Sequence, residues 1–195
     1  MSLSPNTARE PLHTRTVAFQ GFRREDGLFD IEAHMTDVKA YGFKNEYRGV
    51  IEAGEPLHDM WLRVTLDEDF LIREIEAVTD AGPYGICSGA AANYKRLVGK
   101  CMSAGWTRTV REAVGGVEGC THLSETLIAM GTVAFQTLYP YLAKRREGKP
   151  RSGRPPLLNT CHAFRSDGEV TRKIWPEHYD GPTGEAPRNA RGSGD

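Results

Sequence analysis

Gly119-Cys120-Thr121-His122-Leu123 is the stretch from which the fold is read. A thiol and an imidazole stand two positions apart where a glycine-rich turn opens into a long helix. Gly115, Gly116 and Gly119 interrupt regular structure, and Thr121 is placed to cap a helix start. Ser124 and Glu125 follow in the first turn, where a hydroxyl and a carboxylate suit unpaired N–H groups. Leu123, Leu127, Met130, Ala134, Leu138 and Tyr141 recur at three- and four-residue steps. They make one apolar stripe and predict a helix running to about Leu142. His122 and Glu125 share a neighbouring stripe.

An apolar stripe of that length needs a surface to cover, and the upstream sequence supplies a sheet. His13 to Gly21 reads as a strand, with Val17 and Phe19 alternating against polar residues. An Asp26-Gly27 turn leads into Leu28 to Lys39. There Phe29, Ile31, Ala33, Met35 and Asp37 fall on the core side, and Leu28, Asp30, Glu32, His34 and Thr36 on the outer side. His34 is expected to be simply exposed. Tyr41 to Glu55 is glycine-rich and reads as irregular. The clearest hairpin follows: Met60, Leu62, Val64 and Leu66 alternate with Trp61, Arg63 and Thr65, and Leu71 to Thr79 returns, with Ile72 and Glu74 opposite Leu71, Arg73 and Ile75.

Cys87 then opens a helix over Ala90 to Val98, ended by Gly99. A shorter helix runs from Trp106 or Thr107 to Val114. The expected fold class is α+β: an antiparallel sheet with helices packed on one face. The core spans residues 12–145, a Gly/Pro linker 146–156, and a C-terminal extension packed on the core 157–180. Glu169 to Trp175 reads as a strand within that extension, and 181–195 as a disordered tail.

Composition limits the function. The chain has 195 residues, a formal net charge of -1 and 39% hydrophobic content. Near-neutral charge argues against a nucleic-acid partner held through phosphates. The basic run from Lys144 to Arg154 reads as solvated surface. No apolar run reaches the roughly 18 residues of a membrane span, and no signal-like segment opens the chain, so the expected location is the cytoplasm. The 4 cysteines form no CxxC pair and read as reduced thiols. No dinucleotide or P-loop glycine pattern is present.

Three blocks carry a family resemblance: Pro56-Leu57-His58-Asp59-Met60-Trp61-Leu62-Arg63, Gly116-Val117-Glu118-Gly119-Cys120-Thr121-His122-Leu123 and Thr160-Cys161-His162-Ala163. In this order they resemble a bacterial family catalogued as a domain of unknown function, over roughly Leu12 to Tyr179. That resemblance implies a place among proteins that accompany aromatic-compound catabolism. It also implies lyase chemistry on lignin-derived aromatics with loss of formaldehyde.

The order of Asp59, the hairpin, Cys87 and Cys120/His122 is also similar to the iron–sulfur cluster scaffold fold. His58 stands where that fold carries a cysteine, and Leu57 where it carries a glycine. The likeness implies that His58, Asp59, Cys87, Cys120 and His122 converge, either as a mixed N, O and S metal site or as a metal-free polar site.

In the metal-free reading no cofactor is needed. His58, Asp59, Cys120, His122 and Glu125 are the candidate catalytic residues, with His122 as base and Asp59 or Glu125 orienting it. Arg63 is a candidate to hold a phenolate, Tyr84 and Tyr94 to donate hydrogen bonds, and Trp61 and Trp106 to wall an aromatic pocket, with Cys87 beside them. The structural alternatives are a surface ion pair for Arg63, core packing for Tyr94, Trp61, Trp106 and the cysteines, and a helix cap for His122. The expected function is a carbon–carbon lyase acting on a small aromatic substrate, with a second copy of the chain in a homo-oligomer as a candidate partner. The alternatives are a non-catalytic metal-binding or cluster-scaffold-like protein, and an accessory subunit.

Overall fold

A computed structural model of the chain describes residues 7–146 and 153–181. The chain divides after Glu147 into two units. Most of the expected linker and nearly all of the expected tail lie outside the described residues.

The first unit is α+β. Strands β1 (His13–Arg23), β2 (Phe29–Lys39), β3 (Phe43–Asn45), β4 (Gly49–Ile51), β5 (Pro56–Leu66) and β6 (Ile72–Ala81) come first. A 3-10 helix (Cys87–Leu97) and helices α1 (Trp106–Val114) and α2 (Thr121–Arg146) follow. Strands β1, β2, β5 and β6 form one antiparallel sheet in the order β1-β2-β5-β6.

Alternation places the core. Phe29, Ile31, Ala33, Met35 and Asp37 of β2 are buried, as are Met60, Leu62, Val64 and Leu66 of β5. Leu123, Leu127, Met130 and Ala134 of α2 join that core, each at most 1% exposed, and Leu138 is buried further along the helix. Burying such a side chain stabilises the fold by about 1.5–3 kcal/mol. The helix crosses β1 closely at Gly21, where a Cβ would lie 1.9 Å from Thr137 Oγ1, so only glycine admits this approach.

Several details differ from expectation. Ile72 and Ile75 both face the core, because a bulge at the Thr65/Leu66 register shift sets Leu66 against Ile72 and Thr65 against Glu74. Residues 43–51, read as irregular, hold the small antiparallel hairpin β3–β4. The segment after Cys87 is 3-10 rather than α-helical. Helix α2 begins at Thr121, and the Cys120 carbonyl accepts its first bond from Ser124 N–H at 2.9 Å, so Cys120 occupies the capping position expected for Thr121.

In the second unit, the stretch read as a strand is the helix α3 (Glu169–Ile174). Glu169 suits its first turn and Arg172 and Lys173 its last. Thr171 is buried and its hydroxyl donates to the Arg165 carbonyl at 2.8 Å.

Candidate functional site

The pleat decides which side chains meet. In the register of β2 and β5, Asp37 stands directly opposite His58 and Thr36 opposite Asp59. Side chains of successive strand residues point to opposite faces, so Asp37 and His58 share the inner face while Asp59 leaves on the outer one. Asp37 is 1% exposed and His58 8%. His58 Nδ1 lies 3.0 Å from Asp37 Oδ2.

Helix α2 brings in His122 from its first turn. Its ring centroid is 3.9 Å from that of His58, and its Nε2 is 3.9 Å from Asp37 Oδ2. His122 is placed by Gly119. A Cβ there would lie 2.1 Å from the Val114 carbonyl oxygen, so the chain can turn this tightly into α2 only without a side chain. Tyr94 fastens the same turn: its hydroxyl donates to the Cys120 carbonyl at 2.9 Å, and receives the Cys120 N–H at 3.2 Å. The Cys120 sulfur is 3.7 Å from His122 Nδ1.

The edge strand β1 supplies the counter-charge. Arg15 donates from Nε to Asp37 Oδ1 at 2.8 Å and from Nη2 to Oδ2 at 2.7 Å, a two-pronged pair. His13 Nε2 lies 3.3 Å from Oδ1, and Glu125 approaches Arg15 at 3.6 Å.

These contacts set the protonation preferences. Burial works to raise the Asp37 carboxyl, but the Arg15 guanidinium, with His58 and His13, outweighs it and holds the group below its usual range. Burial, together with the neighbouring His122 and Arg15, lowers His58 despite Asp37. Burial and Arg15 lower His122 despite Asp37 and Glu125. Both imidazoles are therefore biased toward the neutral form, which can accept a proton or a metal ion.

Of the residues expected here, His58, Cys120 and His122 come together, with Glu125 at the rim through Arg15. Asp59 does not join them. Its carboxylate accepts a hydrogen bond from His34 Nε2 at 2.7 Å on the outer face, where His34 stacks on Trp61 with centroids 3.7 Å apart. His34 is thus engaged, not simply exposed. Arg63 pairs with Glu32 at 2.7 Å and Glu76 at 3.2 Å on that same outer face, beside an open cleft lined by Glu32, Trp61, Arg63, Glu76 and Val78. Trp61 and Arg63 are therefore across the sheet from His58.

Tyr94 and Trp106 are core residues. Tyr94 is fully buried, and burial raises its phenol. The Trp106 indole N–H is taken by the Leu127 carbonyl at 3.0 Å. Tyr84 is half exposed and meets Tyr47 edge-on at 5.2 Å. Tyr47 belongs to the turn of β3–β4, and Arg48 ties that turn to the Pro56 carbonyl at 2.9 Å, at the head of the strand that carries His58. Cys87 packs against Gly82. Among the described residues, the group spaced to hold a metal is Asp37, His58 and His122, without Asp59 or a cysteine.

The residues missed were Asp37, Arg15 and His13. Asp37 left a signal: it is a carboxylate in phase with four apolar residues on the core side of β2. Nothing in the sequence pointed to Arg15, whose partner lies across a strand pair.

A family model described as a protein of unknown function (DUF2889) matches residues 13–136, well over half of the chain and all of Arg15, Asp37, His58 and His122. No curated protein and no solved structure matches the chain. No described helix is long and apolar enough to cross a membrane.

Proposed function

This chain belongs to the DUF2889 family of proteins of unknown function, and we propose that it is an acid–base enzyme: a carbon–carbon lyase that releases formaldehyde from small, lignin-derived aromatic substrates. The observation that carries the acid–base reading is the buried Asp37–His58 pair with a second imidazole tilted against it at 3.9 Å. The resemblance to proteins of aromatic-compound catabolism supplies the substrate class.

In this reading His58 Nδ1–H donates to Asp37, which fixes the tautomer and leaves Nε2 as the base. Asp37 stays anionic because Arg15 holds both of its oxygens. Nε2 removes the proton of a primary hydroxyl. The C–O bond becomes the carbonyl of formaldehyde as the adjacent C–C bond breaks. That electron pair passes into the conjugated aromatic system, and the imidazolium returns its proton to the carbon that lost the hydroxymethyl group. The step is redox-neutral and in principle uses no cofactor. His122 is positioned as the second proton-carrying group. The Tyr47–Tyr84 pair offers aromatic surface near the head of β5.

The test is formaldehyde release from a panel of hydroxymethyl-bearing aromatic dimers incubated with the purified protein. Release that falls sharply in His58→Gln supports the reading. No release from any member of the panel, or release undiminished in His58→Gln, overturns it.

A further inference from the structure

We propose that Asp37, His58 and His122 form a binding site for a divalent transition-metal ion, with zinc as the representative ligand. The inference stands on these three side chains and is independent of the lyase reading, which belongs to the metal-free state.

The geometry is nearly that of a metal centre. One ligand atom from each residue lies within 4.8 Å of the other two. His58 Nδ1 is 3.0 Å and His122 Nε2 3.9 Å from the same Asp37 oxygen. Ligands about 2.0–2.1 Å from a tetrahedral ion sit roughly 3.3–3.4 Å from one another. The two spacings to Asp37 therefore need changes of about half an ångström, and the spacing between the imidazoles, within 4.8 Å, one of at most about 1.5 Å. Two imidazole nitrogens and a carboxylate oxygen suit zinc, iron or cobalt over calcium or magnesium. Three protein ligands also leave a position open to water or substrate, the pattern of reactive zinc sites.

The surroundings are those of a supported site. The Cys120 sulfur at 3.7 Å from His122 Nδ1 turns the far nitrogen of that ring toward Asp37. The sulfur thereby orients the ligand and is not itself placed to bind. Arg15 fixes the rotamer of Asp37 through both oxygens. Its charge opposes an incoming cation, so it tempers affinity while ordering the carboxylate. Uptake also requires His58 to carry its proton on Nε2 in place of Nδ1. Metal binding and the Asp37–His58 hydrogen bond are thus exclusive.

The experiment is calorimetric titration of the full chain, stripped with a chelator, with zinc chloride, and an absorption titration with cobalt chloride. The expected result is one ion per chain, a visible cobalt spectrum without a sulfur-to-cobalt charge-transfer band, loss of binding in both His58→Gln and His122→Gln, and tighter binding in Arg15→Gln. No saturable binding overturns the proposal. So does a sulfur-to-cobalt band, or binding that survives both histidine changes but disappears when the cysteines are replaced by serine. The wild-type cobalt spectrum decides the ligand type even if a histidine variant fails to fold. Formaldehyde release is not part of the readout, so the lyase reading and the metal site fail separately.

Discussion

Asp37 and His58 face each other directly across β2 and β5, and the carboxylate reaches the imidazole at 3.0 Å on the buried side of the sheet. The neighbouring Asp59, one residue along the same strand, is turned to the other face and bonded to His34. Two carboxylates near one histidine thus have separate environments.

That separation yields the first prediction. In a formaldehyde-release assay, Asp37→Asn and His58→Gln each lower kcat by about 100-fold or more, the range for a general base and the group that orients it. Asp59→Asn stays within a few-fold of wild type. Equal losses in Asp37→Asn and Asp59→Asn would show that the sheet face does not decide the chemistry.

Arg15 and Asp37 give a prediction about stability. Asp37 is buried, while the Arg15 side chain is 38% exposed, so solvent weakens part of the attraction. A double-mutant cycle with Arg15→Ala and Asp37→Ala, read from urea unfolding, is expected to show a coupling of about 1–2 kcal/mol. Asp37→Ala alone costs more than that coupling, because it also leaves His58 without its partner. Additive single changes would remove the pair as a structural element.

Gly119 controls where α2 begins. Gly119→Ala places a methyl against the Val114 carbonyl and forces the turn to shift. The expected loss is about 1–3 kcal/mol in urea unfolding. Because Cys120 and His122 follow directly, zinc binding weakens in the refolded variant more than it does in Gly27→Ala, a change in the open Asp-Gly turn. A Gly119→Ala protein with wild-type stability and zinc affinity would contradict this.

Asp67 contributes to the acid limb of stability. Burial works against its ionisation, but the Leu71 and Asp69 N–H groups and Arg73 outweigh it, so its folded pKa is lowered from 3.8. A carboxylate lowered in the folded state binds fewer protons there than in the unfolded chain. Its stabilisation is full above the unfolded value and is lost as pH falls through the folded one. Asp67→Asn is therefore less stable than wild type at pH 7, and the gap narrows as pH drops below about 4. Thermal melts across that range check it, and a gap independent of pH would refute it.

Much of this molecule was written in local pattern. The period-two alternation of β2 and β5 and the three-and-four spacing of α2 specified which faces are buried. Burial of Phe29, Ile31, Met60, Leu62, Leu123 and Leu127 followed. These patterns are legible because each depends on neighbours along a single element. Where an added residue or a short hydrogen-bonded turn changes the phase, as at the bulge before Ile75 and in β3–β4, pattern alone misplaced side chains. In α3 an isolated short segment was read with the wrong period.

The site lay between these cases. His58, Cys120 and His122 stood out by residue type, but their partner did not. The pleat of β5 turns Asp59 away from His58 in any register, and the register of β2 against β5 decides that the residue opposite His58 is Asp37. Arg15 reaches Asp37 only because β1 pairs at the sheet edge. Composition and periodicity determined the layers of this protein. The pairing of distant strands, a property of no single segment, decided which charges share its interior.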